Sequence, residues 1–70
     1  MSINEIKKPT YPNLEAELGR YGISYKRLGE LIGLNKQTIV SRMTGNSEFK
    51  LPEIRKILKL FNKKFEELFC

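Results

Sequence analysis

From Asn13 onward the apolar residues recur every three or four positions, the spacing of helices that bury one side. Leu14 and Leu18 give a first helix its stripe, with Asn13 as the expected N-cap and Tyr21-Gly22 as the end. Ser24 opens a second helix, SYKRLGELI, whose inward face is Leu28, Leu31 and Ile32. Arg27 stands where a capping box needs Glu or Gln, so a simple serine cap is predicted. Gly29 lies inside this helix at a cost of about 1 kcal/mol relative to Ala, which close approach by a neighbouring helix would offset. Gly33 stops the helix, Leu34 plugs the turn, and Asn35 caps a third helix that Gly45 ends. In the loop that follows, Phe49 is the expected anchor to the core. Pro52 suits the first turn of a fourth helix striped by Ile54, Ile57, Leu58 and Phe61. Asn62 is the expected cap of a last short helix, KKFEELF, burying Phe65 and Leu68. No strand pattern emerges. The pattern predicts an all-α fold of five short helices around one core.

Ahead of this domain, assigned to residues 13–70, residues 1–12 read as a flexible arm. Pro9 and Pro12 flank Thr10-Tyr11 and favour extended backbone, with Ile3 and Ile6 as the apolar residues available to dock. The turn between the second and third helices is so tight that they must cross steeply, a helix-turn-helix arrangement that holds the third helix proud of the body.

Composition narrows the function classes. Seventy residues, 30% charged and 40% hydrophobic, make one small globular domain. No apolar run approaches the ~20 residues of a membrane span, and the N-terminus shows no export signal. The single cysteine, Cys70, fits a reducing cytoplasm and reads as an incidental thiol. There is no histidine, no phosphate-binding glycine loop and no metal-loop spacing, so neither an enzyme nor a cofactor or metal site is expected. The net charge is +5, and its placement is uneven. Residues 1–22 balance three basic against three acidic groups, whereas residues 23–50 carry five against two and residues 51–70 five against three. A basic excess of this kind suits a polyanion partner.

The third helix carries the sharper signal. With Lys36 set at 0° and about 100° per residue, Ile39 and Met43 fall inward at about 300° and 340°. Val40, Thr44, Gln37 and Ser41 occupy the opposite arc, from about 40° to 140°. Such a face suits the floor of a DNA major groove. A glutamine amide matches adenine N6/N7, a lysine guanine O6/N7, a serine either role, and an aliphatic side chain a thymine methyl. Lys50, Lys26 and Arg27 add basic charge nearby, as phosphate contacts or as solubilising charge.

Residues 13–69 resemble the helix-turn-helix domain of the bacteriophage Cro and repressor class, the XRE type with a lambda-repressor-like fold. The resemblance rests on ISYKRLGELIGLNKQTIVSRMTG at 23–45, on FKLPEIRKI at 49–57 and on the closing FEELF. The order S-x-x-x-L-[AG]-x-x-[IL]-G-[LV]-x-x-x-T-[IV], with Gly45 six residues after Ile39, is its most specific part. The run Gly-x-x-Glu-Phe-x-Leu-x-Glu-Ile is similar to repressors of temperate phages of Gram-positive hosts. The resemblance implies a recognition helix at 35–44 in the major groove and dimers on pseudo-palindromic operators. It carries base contacts to Lys36, Gln37 and Ser41, with Val40 beside them. It carries backbone contacts to Ser24, Tyr25, Asn35, Thr44 and Asn46, and Lys50 joins them by charge. Tyr25 departs from the glutamine usual at its position. Arg42 replaces a common apolar residue, so Met43 takes the core role and Arg42 is left for phosphate or solvent.

The expected function is sequence-specific binding of operator DNA by a small cytoplasmic regulator of a phage or prophage switch. Seventy residues leave no room for a separate dimerisation domain, which favours a Cro-like protein or a repressor's N-terminal domain. Leu60, Leu68 and Phe69 are candidates for weak homodimer contact. The alternative is a helix-turn-helix modulator or antitoxin that grips a partner repressor or toxin protein. A third helix so poor in charge suits protein as well as DNA.

Overall fold

The computed structural model describes residues 10–70, so the expectations placed on residues 1–9, Ile3 and Ile6 included, lie outside it. Five helices follow one another: α1 (Pro12–Tyr21), α2 (Tyr25–Ile32), α3 (Lys36–Met43), α4 (Leu51–Phe61) and α5 (Phe65–Leu68). The all-α, five-helix expectation holds.

The core is the set the periodicity named, with substitutions at its margins. Leu14, Leu18, Leu28, Ile32, Ile39, Met43, Phe49, Ile57, Phe61 and Leu68 are buried, while Ile54 and Leu58 pack against them half-buried. Each fully buried aliphatic side chain stabilises the fold by about 1.5–3 kcal/mol. Leu31 and Phe65, expected inside, are instead 38% and 46% exposed. Leu31 misses because α2 is covered along one side only, where α3 and α4 pack. Phe65 stacks on Phe69 with centroids 5.4 Å apart, and it is Phe69 that joins Tyr11 and Phe49 in an aromatic cluster.

Tyr11 therefore belongs to the body. Its ring lies 5.4 Å from that of Phe49 and 5.3 Å from that of Phe69, and the Thr10 N–H donates to the Met43 carbonyl at 3.1 Å. Thr10 and Tyr11 thus pack with the helices, and Pro12 is the first residue of α1, where its missing N–H costs nothing. Asn13 is consequently inside the helix. Its amide donates to the Cys70 carbonyl at 3.0 Å, tying the start of α1 to the chain's last residue.

The other caps divide in the same way. Ser24 Oγ accepts from the Arg27 N–H at 3.1 Å, and Asn35 Oδ1 from the Thr38 N–H at 2.8 Å, both as expected. Asn62 does not start α5; it ends α4 in the left-handed conformation at φ 54°. The start of α5 is held by Glu67, whose carboxylate accepts from the Lys64 N–H at 2.7 Å.

Gly29 explains how α3 is aimed. A Cβ built there would lie 2.2 Å from the Leu34 carbonyl oxygen and 3.4 Å from Ile39 Cγ1. The closest approach is by the turn's own backbone, more than by the next helix. Both the Gly33 and Leu34 N–H groups return to the Gly29 carbonyl, at 2.7 and 2.8 Å, and Gly33 takes φ 85°. The turn is thus folded down onto the bare backbone of α2, and that contact sets the angle at which α3 leaves.

Candidate nucleic-acid interface

Helix α3 is held by two buried side chains, Ile39 and Met43, and by its Asn35 cap. Around that seam Lys36 and Gln37 stand exposed at the N-terminal end, beyond the turn, and Val40 is half-buried one turn later. Lys36, Gln37 and Val40 thus share one accessible edge, as the helical angles require.

Ser41 is placed differently from its expected base-reading role. It is half-buried, and its Oγ lies 2.8 Å from Ser47 Oγ. The Ser47 N–H also donates to the Ser41 carbonyl at 3.2 Å, so Ser41 fastens the loop after α3 back onto the helix.

Arg42 is the clearest correction. Its guanidinium forks onto Glu53, with Nε donating to Oε1 at 3.0 Å and Nη2 to Oε2 at 3.1 Å, while Nη1 donates to Ser47 Oγ at 2.7 Å. Both side chains are 12% exposed. Three of the guanidinium's five N–H groups are thus committed within the protein, which leaves one on each Nη. The Glu53 carboxyl is held below its usual range, first by the Arg42 hydrogen bonds and then by the Lys50 N–H, against the opposing effect of burial. Glu53 also caps α4 through that Lys50 N–H at 2.9 Å. One carboxylate therefore joins α3, the loop and α4. Neither Glu53 nor Ser47 was singled out from sequence. The available signal was a glutamate three residues after Lys50, ahead of an apolar run.

The remaining expected backbone contacts separate by whether a donor is still free. Tyr25 is half-buried and its hydroxyl donates to Glu15 Oε1 at 2.7 Å. Burial, then that bond and the carboxylate's charge, raise its pKa to about 12. Thr44 spends its proton on the Val40 carbonyl at 2.8 Å. Ser24 and Asn35 accept from backbone through their oxygens, which leaves the serine O–H and the asparagine N–H₂ to donate outward. Asn46, in the loop after α3, and Lys50, at the start of α4, are exposed. Lys26 and Arg27 are exposed on α2, but Arg27 already pairs with Glu30 at 3.2 Å.

A capped helix with an exposed Lys36-Gln37 edge, following a tight glycine turn, is an arrangement known from protein families. A family model for helix-turn-helix proteins matches residues 14–68. The chain belongs to the XRE-type helix-turn-helix family. The match covers all of α2, the turn and α3, and extends over nearly the whole described body. Membership supports a DNA-binding transcription regulator, in a family that is normally non-enzymatic. No curated protein and no solved structure matches the chain. Among the described residues no helix is long and apolar enough to cross a membrane.

Proposed function

We propose that this helix-turn-helix protein is a sequence-specific, Cro-like transcriptional regulator of a phage or prophage switch, acting in the host cytoplasm with α3 in the major groove. The observation that carries the reading is the exposed Lys36-Gln37 edge, set beyond a turn that Gly29 and Asn35 make rigid. Gln37 offers a paired donor and acceptor to adenine, Lys36 donates to guanine, and Val40 meets a thymine methyl. Phosphates are taken by Ser24, Asn35, Asn46 and Lys50, and by the first free N–H groups of α2 and α3, where the helix dipoles favour an anion. Ser41 acts by positioning the loop, and Tyr25 and Thr44 by shaping the surface. Two copies on a pseudo-palindrome would multiply the modest affinity of one.

The experiment is selection of duplexes from a random library by the purified protein, followed by sequencing. The proposal expects an enriched motif whose information falls at one position in the Gln37→Ala variant. No enrichment by the folded wild type would reject it.

A second reading has one specific observation in its favour. With Arg42 paired to Glu53, Lys36 is the one charge on α3 without an ion-pair partner among the described residues. Such a face also suits a protein partner, a repressor or a toxin. Co-purification with a repressor encoded nearby, without any DNA shift, would favour it.

A further inference from the structure

Helix α4 buries Ile57 and Phe61 and turns its opposite side to solvent. Arg55, Lys56, Lys59 and Leu60 are exposed there, within an arc of about 140°. From Ile54 to Phe65 the chain carries five basic residues and no acidic one. The ion pairs among the described residues are those of Arg20, Arg27 and Arg42, so none of the five pairs with a described carboxylate. Lys56 donates instead to the Ile32 carbonyl at 3.3 Å.

Solvated lysines on an outer face are common, and alone they mean little. This face, however, adjoins a groove of about 400 Å³ lined by Tyr21, Ile23, Leu60, Phe61 and Asn62. Tyr21 is 59% and Leu60 40% exposed, and the Tyr21 and Phe61 rings lie 5.8 Å apart. Leu60 follows Lys56 by one turn, so the groove continues the basic face along the same side of the helix. No residue of α3 lines it.

Three kinds of occupant meet this surface differently. A DNA backbone would use the cations but has nothing to place in an apolar groove. A second copy would bring the same cations against themselves. An acidic chain with apolar side chains on one helical face matches both features. We infer that the groove and the Arg55-Lys56-Lys59 face together form a docking surface for an acidic amphipathic segment of a partner protein. Its apolar anchors enter beside Tyr21 and Leu60, and its carboxylates lie over the cations. The inference does not depend on what α3 binds.

The test uses a fluorescein-labelled 15-residue peptide, rich in Glu and Asp, with Leu and Phe at helical i, i+3, i+4 and i+7 spacing. One control peptide replaces the anchors by Ser, and another replaces the acids by Gln. Anisotropy titrations of the intact protein are expected to show binding of the first peptide and at least about tenfold weaker binding of both controls. Amide resonances of Tyr21, Ile23, Leu60 and Phe61 should shift, with those of α3 unmoved. Leu60→Asp should weaken binding about tenfold and Lys59→Glu up to about fivefold, while Gln37→Ala changes nothing. Circular dichroism confirms that each variant is folded, and Tyr21→Ser serves if Leu60→Asp is not. Equal binding of the three peptides, or shifts confined to α3, would overturn the inference. So would a wild-type dimer that Leu60→Asp dissociates, or Lys59→Glu weakening duplex binding as much as Lys50→Ala does.

Discussion

Replacing Gly29 by alanine tests the physical basis of the interface. By propensity alone the change should stabilise α2 by about 1 kcal/mol. The structure opposes this, because the new methyl would sit 2.2 Å from the Leu34 carbonyl oxygen. Relief requires the turn to move by at least about 1 Å, since attraction between heavy atoms is optimal only near 3.5 Å. The obstacle is backbone, pinned by two N–H bonds to the Gly29 carbonyl, so no side chain can swing aside. Overpacking of this kind costs about 1–3 kcal/mol or more. With the propensity gain deducted and a cost at the upper end, a net loss of about 2 kcal/mol is expected. A domain of this size has roughly 4–10 kcal/mol of stability in total, and each kcal/mol moves Tm by about 4–8 °C. Thermal unfolding followed by circular dichroism should therefore show Gly29→Ala melting about 8–16 °C below wild type. Gly19→Ala is the matched control. Gly19 is exposed near the end of α1, with nothing within 4 Å of an added Cβ, and it should gain about 0.5–1 kcal/mol. A Gly29→Ala protein as stable as wild type would refute the idea that this close approach fixes the turn.

Four further variants test the hydrogen-bond network and the charges around α3. Removing the Glu53 charge by Glu53→Gln should cost about 1.5–3 kcal/mol in urea unfolding at pH 7. Its folded pKa is depressed, so its contribution is complete above the ordinary value of 4.5 and is lost as pH falls through the lower folded value; the variant's stability should be flatter across that acid range. Tyr25 has the opposite sign, because its raised pKa holds the proton in the folded state, and the stability it adds below pH 10 is lost between 10 and about 12. Tyrosinate absorbance should show one ionisation near 12 in wild type that is missing in Tyr25→Phe. Lys50→Ala should reduce the slope of log affinity against log salt by about 1. Arg42→Met, provided circular dichroism shows it folded, should leave that slope unchanged; a loss equal to that of Lys50→Ala would restore Arg42 to the phosphate contacts.

Most of the architecture was legible because short helices announce themselves through apolar spacing and through their stops. Gly22, Gly33 and Gly45 all take positive φ where the pattern ended a helix, and Ser24 and Asn35 cap where they were expected to. Asn13 and Asn62 misled for one reason. Asparagine suits a helix start, a helix end or an exposed first turn, and only the packing around it selects which. Phe65 and Leu31 fit an apolar stripe, yet a four-residue α5 and a one-sided α2 leave them uncovered. In the candidate site, the Lys36-Gln37 edge was visible from helical angles alone. The commitment of Arg42, Tyr25 and Thr44 was not, because their partners Glu53 and Glu15 are brought up by other helices and the Val40 carbonyl is backbone. Spacing tells which side a residue faces; it does not tell whether its protons are already spent.

The central claim, direct reading of base pairs by α3, is tested most directly by comparing wild type and Gln37→Ala on two duplexes at one salt concentration. One duplex is the sequence selected by the wild type, and the other has the same composition in scrambled order. Loss of the Gln37 amide should cost about 1–3 kcal/mol on the selected duplex, a weakening of roughly 5- to 150-fold at about 1.4 kcal/mol per tenfold, with scrambled-duplex affinity unchanged. Equal affinity of the two proteins for the selected duplex, or an equal loss on both duplexes, would contradict the account.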